Sequence, residues 1–205
     1  MAIRGLMLAL ALAAGPAPIN EIVAVVEGTP ITLWDLDVET RLRGLEQRGL
    51  APEGDLTDAE RVRSLEFLIN QMLALRAADR YNVPQPGEGF IDDEMRDLRL
   101  RAVLPLNEQL ARAGIPESRL RDRARSKLRI SRLVDQRLRQ LVRVSDEEVG
   151  AYLKQHGETE TASTETVRQY LAVQTLQERS RLFFTDLRAR ATVDILDPRF
   201  KPASR

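Results

Sequence analysis

Protein chemistry near neutral pH draws heavily on histidine, cysteine and paired carboxylates, and this sequence is short of the first two. It contains one histidine, His156, and no cysteine among 205 residues. A cysteine nucleophile, a thiolate zinc site, a disulfide scaffold and a lipid anchor on an N-terminal cysteine are thereby excluded. One histidine in a polar stretch reads as a solvated side chain, not as part of a triad or a metal cage. The runs Asp92-Asp93-Glu94 and Asp146-Glu147-Glu148 stand at the starts of helical patterns. Negative charge there is favoured by the helix dipole, so these residues read as helix-start charges and not as a general acid–base pair. Glu27-Gly28 and Gly87-x-Gly89 read as turns, and neither resembles a phosphate-cradling loop. The residues point to no catalytic group, no metal and no cofactor, and hence to a protein that is not an enzyme.

Charge is the next signal. Basic and acidic residues balance at 31 each, so there is no global attraction to nucleic acid. The balance is uneven along the chain. Residues 96–143 carry 14 Arg or Lys against five acids, Asp97, Glu108, Glu117, Asp122 and Asp135. Such a run usually forms a solvated helix face balanced elsewhere in the chain. The alternative is an electrostatic guide for acidic partners or anionic lipid head groups, which would make binding sensitive to salt.

The elements that hold these residues are mostly helices. Ile22–Val26 is a β-branched run and reads as a strand, with Glu27-Gly28 as a turn and Thr29–Ile31 as a short return strand at an edge, because Pro30 has no N–H to donate. Thr32 caps a helix predicted over 33–48, with Leu33, Leu36, Thr40 and Leu45 on one side. Trp34 is expected to pack between that helix and the sheet. Thr57-Asp58-Ala59-Glu60 is a capping box before the most apolar helix, which runs to about 81–84. A helix starting near Phe90 presents Ile91, Met95, Leu98 and Val103. A short helix follows over 106–113. Pro116 then opens a long helix to about Arg143, with Leu120, Ala124, Leu128, Leu133, Val134, Leu138 and Leu141 inward. A capping box at Ser145–Glu148 starts a helix to about Lys154. Residues 156–166 have no apolar side chain larger than Ala162 and read as a polar linker. A last helix resumes at 167, and 191–196 alternates at period two as a closing strand. The strands at the two chain ends are expected to pair, which gives a mainly α fold with one small sheet.

The first 18 residues have Arg4, an apolar run from Leu6 to Ala14 and then small residues and proline. This is the pattern of a cleavable secretory signal peptide. The run is too short for a membrane span, which takes about 20 apolar residues. The expected mature chain is exported, with residues 19–155 as the main helical domain, 156–166 as linker, 167–197 as the closing helix and strand, and 198–205 as a tail.

Four segments then acquire a common meaning. Ile22–Gly28 running into Ile31-Thr32-Leu33-Trp34-Asp35-Leu36, the helix Leu68–Ala78, the start Val144–Val149 and the end Leu187–Ile195 resemble, in this order, the N-terminal domain of the SurA family of periplasmic chaperones. The resemblance covers most of 20–197. It implies a helical chaperone domain that offers an apolar crevice to extended, aromatic-rich segments of unfolded outer-membrane or envelope proteins in the periplasm, without ATP. Full-length relatives carry parvulin-type prolyl isomerase modules where this chain has its polar linker. A module of that kind needs far more residues than the linker offers, so the isomerase is expected to be absent. Phe90, Met95, Leu98 and Leu104, on short helices bounded by Gly and Pro, are the expected client-binding residues. The other readings are an exported adaptor that binds one folded partner and a degenerate prolyl isomerase.

Overall fold

The computed structural model describes residues 20–156 and 163–201. The expected signal peptide and most of the expected linker lie outside them. Two strands, β1 (Ile22–Val26) and β2 (Thr29–Thr32), form a hairpin, and β3 (Val193–Ile195) pairs antiparallel with the other side of β1. The expected joining of the chain ends is present, with Ala24 opposite Ile195 and Val26 opposite Val193. Glu27 and Gly28 both have positive φ, 50° and 80°. That is the backbone of a two-residue turn whose twist suits flanking strands, and glycine adopts it without steric cost.

Among the described residues, seven helices follow in the order α1 (Leu33–Arg48), α2 (Asp58–Arg80), α3 (Glu88–Arg101), α4 (Leu106–Arg112), α5 (Glu117–Arg137), α6 (Asp146–His156) and α7 (Thr164–Arg190). Three starts are fixed by reciprocal caps, Thr32 with Asp35, Thr57 with Glu60 and Ser145 with Glu148. The core has three parts. One joins α1, α3, α4 and α5 around Ile91, Met95, Leu98 and Leu120. A second lies between the sheet, α1 and α2 around Val23, Leu36, Leu65 and Ile69. A smaller third holds Ala77, Ala78, Val83 and Leu133, with Phe183 and Leu187 of α7 against it.

The end of α1 shows how the first part is tied. Gly49 caps the helix with φ 71°, and a Cβ there would stand 2.4 Å from the Arg101 carbonyl. Gln109 is buried and fully used. Its Oε1 accepts from the Ala51 N–H at 2.8 Å, and its Nε2 donates to the carbonyls of Gly49 and Leu104 at 3.1 and 2.9 Å. One side-chain amide thus satisfies three backbone groups that no helix or strand would satisfy.

Several expectations need correction. The long basic helix α5 ends at Arg137, before a 3₁₀ turn over Arg139–Leu141, and Leu141 is exposed. Val103 lies past the end of α3 and is exposed. Helix α7 starts at Thr164, three residues early, because the Ser163 hydroxyl accepts the Thr166 N–H and caps it. The expected tail is structured as far as Phe200. Asp197 caps a 3₁₀ turn over Pro198–Phe200, and the Phe200 ring is buried against the sheet. Trp34 stays partly exposed, with the Arg119 guanidinium 4.6 Å from its ring centroid. No helix among the described residues is long and apolar enough to cross a membrane.

Candidate peptide-binding groove

Helices α2 and α5 run side by side in the same direction. Arg123 lies over Phe67 near their beginnings, and Arg137 lies over Tyr81 at their ends. At the lower end Leu133 closes the space against Ala77 and Ala78. Higher up nothing large fills it. Helix α2 presents Asn70, Gln71 and the short Ala74, and α5 presents Lys127 and Ile130. The gap is an open cavity of about 400 Å³, within the size range of side-chain and small-ligand sites, roughly 300–1,000 Å³. Phe67 forms one wall and Phe184 of α7 the other.

Two adjacent phenylalanines of α7 therefore do different work. Phe183 packs down onto the small core cluster, while Phe184 faces the cavity, their rings edge-on with centroids 5.5 Å apart. Helix α7 is held by its ends, with Val167 as its single buried side chain among the described residues. Tyr170 meets Tyr152 of α6 at 5.6 Å near the start, and Phe183 and Leu187 anchor the finish. Tyr170, Val173 and Leu182 remain exposed along it.

A second cavity of about 170 Å³ opens above the first, between α1, α2 and α5, lined by Asp35, Val38, Leu42, Leu68, Arg119 and their neighbours. Gln71 and Arg123 line both cavities. From Arg119 to Ile130 along α5 the two extend about 16 Å at 1.5 Å per residue. An extended chain advances about 3.3 Å per residue, so this length matches about five residues.

Arg123 is the wall between the cavities. Its side chain is 7 % exposed, with Nη1 on the buried Glu39 carboxylate and Nη2 on Glu46 at 2.6 Å. Its Nε has no partner, and its guanidinium carbon stands 4.9 Å from the Phe67 ring centroid. Burial pushes the Glu39 carboxyl up to about 7, against the pull of the Arg123 charge and hydrogen bond, and Glu46 nearby adds to the rise. Burial draws the Arg123 pKa down, but the bonds and charges of Glu46 and Glu39 outweigh it and hold the guanidinium firmly protonated.

The residues expected to bind clients do not line this groove. Met95 and Leu98 are buried in the core with Ile91 and Leu120, because α3 turns that face onto α1 and α5. Phe90 is exposed on the outer side of α3, with the Arg132 guanidinium 5.3 Å from its ring centroid, and Leu104 is half-buried in the turn before α4. Phe67, Ile130 and Phe184 line the cavity instead. Phe67 breaks the buried face of α2 by lying outward, and the Phe183-Phe184 pair puts aromatic rings on two sides of one helix. Both signals stand in the sequence.

The basic run is accounted for by the packing of α5. Arg119 pairs with Asp35, Arg121 with Glu88 and Asp92, Arg123 with Glu39 and Glu46, Arg125 with Glu88, Lys127 with Glu94 and Arg129 with Asp79. The acids come from α1, α2 and α3, far away in the chain. The run is a set of ties between helices, and most of its charge is already matched.

The molecule is thus a mainly helical domain with a small sheet joining its chain ends and an apolar groove between three helices. The chain is 27 % identical over 145 residues to a protein of Saccharophagus degradans named Chaperone SurA. The aligned stretch covers 67 % of this chain and 32 % of that protein, so this chain matches about a third of its relative's length. No protein-family model matches the chain.

Proposed function

We propose that this chain is a SurA-like, ATP-independent holding chaperone of the bacterial envelope, exported to the periplasm by residues 1–18, and that the α2–α5–α7 groove is where it holds unfolded outer-membrane or envelope proteins. The observation that carries this reading is the open cavity walled by Phe67, Ala74, Ile130 and Phe184, with a second, smaller one on the other side of Arg123. Apolar side chains of an extended client leave water when they enter such a groove, at about 25 cal/mol per Å² buried. Two or three inserted side chains give weak, quickly reversed binding, which suits a client that must be released. The distant likeness to Chaperone SurA, over the part of that protein this chain matches, supports the same reading. The polar segment after α6 stands where full-length SurA relatives carry isomerase modules, so the chain is read as holding clients without isomerising them.

The test is aggregation of a urea-unfolded outer-membrane barrel protein on dilution, followed by light scattering with and without the purified chain and without ATP. Suppression near a one-to-one ratio is expected. No suppression from a folded chain overturns the proposal. The exposed Tyr170, Val173 and Leu182 on α7 would then favour an adaptor that binds one folded partner. A proline-peptide isomerisation assay is expected to show no rate above the uncatalysed one.

A further inference from the structure

A buried ion triad is an unusual wall for an apolar groove. Arg123 comes from α5, and both of its carboxylate partners come from α1. The two partners differ. Glu39 is sealed in, with 6 % of its side chain exposed, while Glu46 lies at the groove edge with 20 % exposed. The unpartnered Nε is a standing cost of the observed position, since a buried donor without an acceptor is destabilising. Beyond the two carboxylates, the head of Arg123 rests on the half-exposed Phe67 ring.

We propose that Arg123 is a proton-controlled partition in the groove: ionised Glu39 locks it between the two cavities, and protonation of Glu39 frees it to swing outward with Glu46, joining the cavities into one. This rests on the reading that the groove takes an extended apolar segment. With the partition locked, a short apolar group can fill the lower cavity. A segment of about five residues needs both. Of the other charged groups at the site, Arg43 acts on Glu39 and opposes the rise of its pKa, and the rest are held in ion pairs. Helix α1 adds Asp35, paired with Arg119, and Arg43, which lies over Phe67 and donates to the Arg63 carbonyl. Helix α5 adds Asp122, paired with Arg125, and Lys127, paired with Glu94 of α3. Helix α2 faces the triad with the uncharged Phe67, Leu68 and Gln71. Burial places the Glu39 titration at about 7. Between pH 6 and pH 8 the protonated fraction falls from most of the molecules to about a tenth, and the apparent affinity for a long segment falls with it, about tenfold.

The experiment measures dissociation constants at pH 6, 7 and 8 for two capped probes without titratable groups, using the full chain. One is a seven-residue extended peptide of alternating apolar and polar residues, and the other is a single capped phenylalanine. The long peptide is expected to bind about tenfold more weakly at pH 8 than at pH 6, and the short probe to change less than about twofold. In Glu39→Gln the long peptide is expected to keep its pH 6 affinity throughout. A pH-independent long peptide, equal slopes for both probes, or a slope that survives in folded Glu39→Gln would overturn the partition. The last result would point to another titratable group. If Glu39→Gln does not fold, the comparison of the two probes on the unaltered chain still decides. Binding of neither probe at any pH overturns the groove itself, and the partition with it.

Discussion

The guanidinium of Arg123 stands 4.9 Å from the centroid of Phe67 while its Nη2 holds Glu46 at 2.6 Å, so one side chain ties α5 to both α2 and α1. Removing it leaves two carboxylates without their cation, one of them fully buried. Arg123→Ala is expected to lower the unfolding free energy by about 3–5 kcal/mol. Urea denaturation followed by circular dichroism measures this. A loss below about 1 kcal/mol would mean that the triad contributes little to holding the helices together.

Glu39 gives stability a pH dependence with a definite sign. Its carboxyl titrates near 7 when folded and near its ordinary value of 4.5 when unfolded. Between those values the folded state binds more protons than the unfolded one, so the contribution of Glu39 is fully present below 4.5 and is lost as pH rises through 7. The slope is at most about 1.4 kcal/mol per pH unit. Asp197 acts in the opposite direction. Its hydrogen bonds to Arg199 hold its carboxyl below the usual range, and its contribution is lost only as pH falls through that lowered value. Glu39→Gln is therefore expected to gain on the unaltered chain from pH 5 to pH 7 and to hold a constant advantage above pH 8. Thermal melts across this range check it, and a constant difference at every pH would contradict it.

Two glycines with similar positive φ should respond differently to substitution. Gly49 has its would-be Cβ 2.4 Å from the Arg101 carbonyl, whereas Gly28 has open space around it. Gly28→Ala bears only the left-handed backbone cost, about 1 kcal/mol. Gly49→Ala adds a backbone collision between the end of α1 and the end of α3, and is expected to cost about 2–4 kcal/mol in total. Equal effects in denaturant titrations would mean that the two helix ends move apart without penalty.

The anchoring of α7 predicts a local effect. Leu133 is fully buried beneath Phe183 and Leu187, and Leu133→Ala is expected to cost about 2–5 kcal/mol. Because α7 is held at its ends, amide exchange should rise most over its C-terminal half, where Phe184 walls the groove. Val173→Ser, on the exposed middle of the same helix, is expected to change stability by less than about 0.5 kcal/mol.

Much of the scaffold follows from local chemistry. Thr32, Thr57 and Ser145 each met the N–H groups of a helix start, and the β-branched run at 22–26 found its partner at 193–195. Those signals act over a few residues or on a period of two, so they survive without knowledge of the fold. The groove is different. Met95 and Leu98 have the spacing of an apolar stripe whether that stripe faces a core or a client, and the packing of α3 on α1 and α5 decides between the two. The basic run misleads for the same reason. Counting acids near residues 96–143 misses Asp35, Glu39, Glu46, Asp79 and Glu88, which are neighbours of α5 only in space.

That pairing leaves little free charge to steer a partner. Peptide binding by the groove is expected to change less than about twofold between low and moderate salt, since buried and matched charges are weakly screened. A steep loss of affinity on raising salt would restore α5 as an electrostatic guide.

Unfolded client is expected to enter between α2, α5 and α7. The direct test places a photo-crosslinking side chain at Asn70, exposed at the groove, and separately at Phe90, exposed on the outer side of α3. Each variant is illuminated with an unfolded outer-membrane barrel protein during a dilution in which aggregation is suppressed. Strong crosslinking from residue 70 and little from residue 90 is the predicted result. Suppression of aggregation with crosslinks from residue 90 and none from residue 70 would contradict the account and move the client to another face.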